Sequence, residues 1–240
     1  MDKKFECYRD WEYKRLGDYH RNLDPNWSYT PTYLVKMKYI RNYLHSLPKN
    51  LRILDAGCGE GVLVEEFLTK GYQITGIDLN YESEYVQRAD ILHLPYPDNT
   101  FDVILMLDMI EHISFEDQPR ALSEAKRVLR PDGALVMSVP NLVHLNSRVR
   151  NLLTGKFDRT DKEENHPGER PYKENIMLLT NAGFDIKKIK GITLTMPFIY
   201  RGIICRRPAR FRWLHDILNI FAIPQLAMIN IFVCKSISGY

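Results

Sequence analysis

The sequence predicts an α/β protein: a doubly wound, mostly parallel, seven-stranded sheet with an antiparallel edge strand and helices on both faces. Three observations carry this. Between residues 51 and 139, short apolar runs alternate with segments of helical spacing, the rhythm of βαβ units. The run FDVILML (101–107) is almost wholly apolar, as a strand covered on both faces is. Two further apolar runs, FDIKKIKGI (184–192) and MINIFVCKS (228–236), flank a basic and aromatic segment and are expected to pair antiparallel at one edge.

The elements follow in order. Residues 1–31 are rich in aromatic and charged side chains without clean periodicity and read as a cap segment laid over the main domain, 32–240. Tyr33, Met37, Ile40, Leu44 and Leu47 mark a helix over 32–47, closed by Pro48. LRILD (51–55) is the first strand, and Val62, Leu63, Phe67 and Leu68 mark a helix that stops at Gly71. QITGIDL (73–79) is the next strand. After 101–107, Leu122, Ala125, Val128 and Leu129 mark a helix, and RPDG (130–133) turns the chain into ALVMSV (134–139). A helix is expected over 141–153, with Leu142, Leu145, Val149 and Leu152 on one side. The segment 154–170 reads as a polar, mobile loop that closes as a lid. Pro171 opens a helix running to Ala182. The stretch 217–234 has no charged residue, but Asn219, Pro224, Gln225 and Asn230 interrupt it, so a helix, a turn and a buried strand are expected there rather than a membrane span.

Composition narrows the class. The chain has 240 residues, 45% apolar and 26% charged, with a formal charge of +3. Such a weak charge does not announce a nucleic-acid binder. Cys7, Cys58, Cys205 and Cys234 lie far apart with no CxxC pair. Neither a disulfide nor a metal is expected from them, and a reducing cytoplasm is the default compartment.

The chemistry starts at DAGCGEG (55–61). Gly57, Gly59 and Gly61 form a tight strand-to-helix exit that lets a ligand approach the backbone, with the amides of the next helix pointing at it. Asp78 ends the second strand, 21 residues after Gly57, where a carboxylate can accept the hydroxyls of a ribose. Negative side chains near the turn fit a charged amino group better than a pyrophosphate. An NAD-dependent oxidoreductase therefore stands second. A non-catalytic protein that kept the fold is the third reading.

Together, DAGCGEG, GIDL (76–79), RADILHLPYPDNTFDVIL (88–105), IEHI (110–113) and EAKRVLRPDGALVMSVPN (124–141) resemble the class I S-adenosylmethionine-dependent methyltransferases, more narrowly the type 11 or ubiquinone-biosynthesis-like group, with its Rossmann-like fold. The resemblance is strong over 35–141 and weaker beyond. It implies that Asp55, Gly57, Cys58, Gly59 and Gly61 hold the amino-acid half of S-adenosylmethionine. Asp78 would take the ribose, Leu79, Asp90 and Ile91 would border the adenine, and Leu107 would line the methionine end. Only eleven residues separate Asp78 from Asp90, where relatives commonly carry a whole helix, so that helix is expected to be short or absent.

For the acceptor, His112 and His166 are the candidate bases for a hydroxyl, with Asp108 as a further candidate, either as base or only to orient cofactor or substrate. No Asn/Asp-Pro-Pro-aromatic motif follows the 101–107 strand, which disfavours a nucleic-acid base as acceptor. The segment 138–161 and HPGERPYKENIMLLTNAGF (166–184) resemble methyltransferases of glycan and lipid-linked sugar pathways. The expected acceptor is thus a small molecule, sugar or lipid-linked species. The 193–227 insertion mixes apolar side chains with arginines, especially over 195–227. It is expected to serve as a lid, a partner contact or a peripheral membrane-surface element.

Overall fold

The computed structural model describes residues 20–159 and 165–237; most of the expected 1–31 cap and the centre of 154–170 lie outside them. The elements are α1 (Thr30–His45), β1 (Arg52–Ala56), α2 (Val62–Thr69), β2 (Gln73–Asp78), β3 (Val86–Arg88), β4 (Phe101–Leu107), α3 (Gln118–Val128), β5 (Leu129–Pro140), α4 (Leu145–Thr154), α5 (Tyr172–Asn181), β6 (Phe184–Leu194), α6 (Arg212–Ile220) and β7 (Ala227–Ser236). The strand order is β3-β2-β1-β4-β5-β7-β6. β3, β2, β1, β4 and β5 run parallel, and β7 is antiparallel to both of its neighbours, β5 and β6. The expected 184–192/228–236 pair is present. The reversed strand is β7, one place inside the edge that β6 forms.

Side-chain alternation along the strands builds two cores. Val103 and Leu105 of β4 join Ile53, Val64, Phe67 and the α1 stripe Tyr33, Met37, Ile40 and Leu44 on one face. Ile104 and Met106 join Leu54, Ile77, Leu122, Ala125 and Leu179 on the other. A strand buried on both faces has no polar side to show, which explains the unbroken apolar run of β4.

Three details differ from the sequence reading. β5 begins at Leu129, which pairs with Phe101, so RPDG lies inside an irregular stretch of the strand. In agreement with the sequence reading, no helix lies between β2 and β3, and the short β3 occupies the stretch between Asp78 and Asp90. α4 starts at Leu145, not at 141, because the Asn141 side chain is occupied with other segments. It accepts from Val143 N and Tyr172 N and donates to Ala227 O at 3.0 Å. Leu152 and Leu153 of α4 are exposed, so that stripe does not face the core. Finally, the 154–170 segment is built in at both described ends: Asp158, His166 and Glu169 are buried.

The insertion ends in α6, whose Leu214 and Leu218 pack on the core. His215 is bound to the Thr193 hydroxyl at 2.9 Å. Its outer face is largely apolar: Trp213, Ile217, Ile220 and Phe221 are exposed, with exposed Asp216 among them and exposed Arg206, Arg207, Arg210 and Arg212 in and just before the helix. Among the described residues no helix is long and apolar enough to cross a membrane. The uncharged 217–234 stretch is split between α6, a turn and β7.

Candidate active site

The strand order reverses between β1 and β4, and ligands of doubly wound sheets bind outside the carboxyl ends of the strands at that point. Two turns meet there: 57–61 after β1 and 108–112 after β4. They fit closely. Gly57 has φ +75°, and a Cβ on it would sit 2.3 Å from the Met109 side chain. Glycine is therefore required at this position for both conformation and space.

The first turn is braced by β2. Gly57 N and Cys58 N donate to Ile77 O at 2.8 and 3.0 Å. The Asp78 carboxylate accepts from Gly59 N at 2.9 Å and from Asn80 N at 2.8 Å. Each carboxylate oxygen has a second lone pair, so these bonds orient Asp78 without exhausting it. Asp55 is 3% exposed, and its Oδ1 is buried with no hydrogen-bond partner. Burial pushes its carboxyl up to about 7; Lys36 nearby opposes the rise and Asp78 adds to it. Glu60 is buried and accepts from His20 N and Arg21 N, so it ties the segment preceding α1 to the turn. The predicted set Asp55, Gly57, Cys58, Gly59, Gly61 and Asp78 thus converges. Leu79 and Leu107 are half-buried at the ends of β2 and β4. Asp90 and Ile91 follow β3. Asp90 accepts from Leu92 N at 2.9 Å, which shapes their loop.

The second turn carries the other cluster. Asp108 has φ +49° and accepts from Tyr29 Oη at 2.7 Å, from Ser138 Oγ and from Lys36 Nζ. Burial alone would raise its carboxyl, but Lys36, Ser138 and Tyr29 outweigh that and hold it at about 2. A carboxylate so occupied is a poor proton acceptor, which favours the orienting reading of Asp108 over the base. Glu111 is 1% exposed with Oε2 lacking any hydrogen-bond partner. Burial, Asp108 and Glu169 push its carboxyl up, against Lys36 and a backbone hydrogen bond.

His112 and His166, 54 residues apart in sequence, meet edge-to-face with ring centroids 4.6 Å apart. The contact is made by docking HPGER (166–170) onto 110–118. Gly168 N donates to Glu111 O at 2.9 Å. Gln118 Nε2 donates to Ile110 O at 3.0 Å and to Gly168 O at 2.8 Å, and Arg170 Nε donates to Gln118 Oε1 at 2.6 Å.

Sequence reasoning missed Tyr29, Lys36, Glu111, Gln118, Ser138 and Glu169. Lys36 had a visible signal: it is a charge next to Met37 inside the apolar stripe of a helix. Glu111 sits beside His112, yet nothing local marks it as buried.

With this geometry in view, the comparisons with known proteins are informative. Residues 54–137 match the methyltransferase domain family of type 11. A ubiquinone biosynthesis O-methyltransferase of Paraburkholderia phymatum is 30% identical over 225 residues, covering 79% of this chain and 93% of that protein. A probable S-adenosylmethionine-dependent methyltransferase of Mycolicibacterium smegmatis is 29% identical over 150 residues, covering 58% of this chain and 54% of that protein. The first curated relatives are matched over 42%, 54% and 60% of their own lengths, so the chain spans about half of each. Among solved structures, a SAM-dependent methyltransferase from Methanosarcina mazei superposes with a TM-score of 0.55 at 20% identity, over 83% of this chain and 97% of that one. At that identity the likeness concerns the fold.

Proposed function

Since the chain belongs to the class I S-adenosylmethionine-dependent methyltransferases of the type 11 group, we propose that it transfers a methyl group to a hydroxyl of a small-molecule, sugar or lipid-linked acceptor. The observation that carries the cofactor half of this reading is Asp55, a buried carboxylate with an orphaned oxygen beside a glycine turn. Such an atom suits a cationic amino group. Asp55 and the 57–61 turn would hold the amino-acid end of the cofactor, Asp78 the ribose, and Leu79, Asp90, Ile91 and Leu107 the walls. S-adenosylmethionine supplies, when bound, a methyl group activated by sulfonium charge.

This chain's own work is then to bind, orient and exclude water. Lys36, Tyr29 and Ser138 fix Asp108 at the mouth. His112 and His166, whose rings meet at the turn after β4, would receive or hold the acceptor's proton. The acceptor class is favoured by two things. The ubiquinone relative is named for O-methylation, and a paired-imidazole face suits a hydroxyl, which needs deprotonation, better than an amine.

Calorimetry tests the cofactor reading. S-adenosylhomocysteine is expected to bind and NAD to give no heat; the reverse returns the chain to the oxidoreductase reading. Asp78→Ala should weaken binding by about 1–3 kcal/mol. Asp55 makes the affinity pH-dependent with a definite sign. The ligand's ammonium favours the ionised carboxyl, whose value before binding is about 7. Affinity is therefore highest above pH 7 and falls by up to roughly tenfold per unit below it. A flat profile from pH 5.5 to 8 would show that Asp55 does not meet the ammonium.

The outer face of α6 favours an acceptor met at an anionic lipid surface. Exposed Trp213, Ile217 and Ile220 beside four exposed arginines suit insertion at the headgroup layer. Sedimentation with phosphatidylglycerol vesicles should carry the chain down, and phosphatidylcholine vesicles should not. Trp213→Ser with Ile220→Ser should leave it in the supernatant, and equal pelleting of that variant would dismiss the membrane contact.

A further inference from the structure

We propose that His144 is a positioning residue of the acceptor side: it fastens the start of the 193–227 insertion to the 154–170 segment and so fixes where His166 stands. The tie stands on hydrogen bonds alone; its bearing on turnover rests on the reading of His166 as a group that handles the acceptor's proton.

His144 follows β5 closely and is 3% exposed. It caps α4, where Ser147 N donates to its Nδ1 at 3.4 Å. A backbone N–H only donates, so Nδ1 carries the lone pair and Nε2 the proton. The other contacts agree with this tautomer. Thr195 Oγ1 donates to Nδ1 at 2.7 Å and accepts from Asn146 N at 3.2 Å. Nε2 donates to Asp158 O, a carbonyl, at 3.0 Å. One ring thus bonds to α4, to the start of the insertion and to the first described end of the 154–170 segment. The usual capping side chains are serine, threonine, aspartate and asparagine. An imidazole adds a donor on its far side, and that donor is the one that reaches Asp158.

Asp158 carries the tie onward. It is 2% exposed. Its N donates to Ser147 Oγ at 2.9 Å, and its carboxylate accepts from Asn146 Nδ2 at 2.6 Å, from Arg150 Nη1 at 2.9 Å and from Arg201 of the insertion. The next residue, Arg159, donates from Nη1 to His166 O at 3.5 Å. Leu142 N donates to Arg170 O at 3.1 Å. The HPGER stretch is therefore gripped from two sides. Gly168 seats it on the turn after β4, and the group centred on His144 holds both of its ends.

The grip needs a neutral ring. Protonation removes the Nδ1 lone pair, and with it the cap and the Thr195 bond. Burial and Arg201 resist the proton, while Asp158 and Glu169 favour it; the balance holds the imidazole below its ordinary value. Arg150 reaches the same Asp158 carboxylate from α4. The opened form takes up the proton more readily, so the docking is complete above about pH 6.5 and weakens as pH falls below it.

The test follows amide exchange and imidazole resonances by NMR in the full chain. In His144→Ala, protection at Asp158 and Gly168 should fall together, each by about tenfold or more. The His166 ring resonances should lose the shift imposed by the His112 ring, whose centroid lies 4.6 Å away. His144→Asn keeps a capping acceptor and does not titrate. Protection at Asn146 and Asp158, corrected for intrinsic rate, should fall between pH 7.5 and 5.5 in the wild type and stay nearly level in His144→Asn. Wild-type protection along β4 and unchanged S-adenosylhomocysteine affinity identify variants that fold; if His144→Ala does not, the comparison with His144→Asn decides. Folded His144→Ala with Gly168 protection and His166 resonances unmoved would overturn the proposal, as would the same pH dependence in the wild type and His144→Asn. A wild-type chain that ignores S-adenosylhomocysteine would sink the methyltransferase reading instead, with the tie still judged by the exchange.

Discussion

Asp108→Asn should destabilise the protein by about 3–5 kcal/mol, the usual consequence of removing one member of a buried ion pair. Lys36 is 4% exposed and its ammonium is bound by Asp108. Neutralising the carboxylate strands that charge under α1. Asparagine is the informative replacement, because it keeps the shape and tolerates the left-handed backbone of φ +49° at this position. Lys36→Met placed on top of Asp108→Asn removes the stranded charge and should recover much of the loss. Chemical denaturation of the four proteins gives the coupling energy, and a value near zero would mean that the pair is ornamental. The pH dependence has its own sign. A carboxyl held at about 2 in the folded chain and near its ordinary value unfolded contributes stability above about pH 4, and this is lost as pH falls toward 2. The Asp108→Asn variant should lack that part of the acid transition.

Gly168→Ala should lower turnover on the order of 100-fold while leaving S-adenosylhomocysteine affinity unchanged. A Cβ at Gly168 would lie 2.0 Å from Ile113 O and 2.1 Å from Gln118 Nε2. The first of these is backbone and cannot swing aside. The 166–170 segment must therefore lift from 110–118, taking His166 away from His112 and Glu111. Displacements of about 1 Å at a reacting centre are enough for losses of that size. The cofactor half of the site, on the 57–61 turn and Asp78, is not touched by this segment, so binding and turnover should separate. Once an acceptor is in hand, equal turnover in Gly168→Ala and wild type would show that the docked loop has no part in the reaction.

What was legible in the sequence is what short-range pattern reports. The apolar run of β4, the stripe of α1 and the glycine stops record which side chains are buried and where the chain must turn, because burial imposes the period of the element on the residues themselves. The 55–61 turn and Asp78 were legible for the same reason: each ends a strand, and topology then brings strand ends together. Even the absent helix between β2 and β3 could be read from eleven residues of spacing.

The partnerships across the site were not legible. Lys36 meets Asp108 over 72 positions, Tyr29 over 79, and Gln118 reaches Gly168 over 50. Asn141 forgoes the helix that its neighbours suggest because Tyr172 and Ala227 come within reach of its side chain. Glu111, His112 and His166 are unremarkable in the local sequence and become a cluster, with Glu111 and His166 buried and His112 half-buried, only when HPGER settles on the turn after β4. Periodicity tells a side chain that it faces inward, but what stands opposite is set by strand order and loop docking, contacts whose members leave no mark on each other's local sequence.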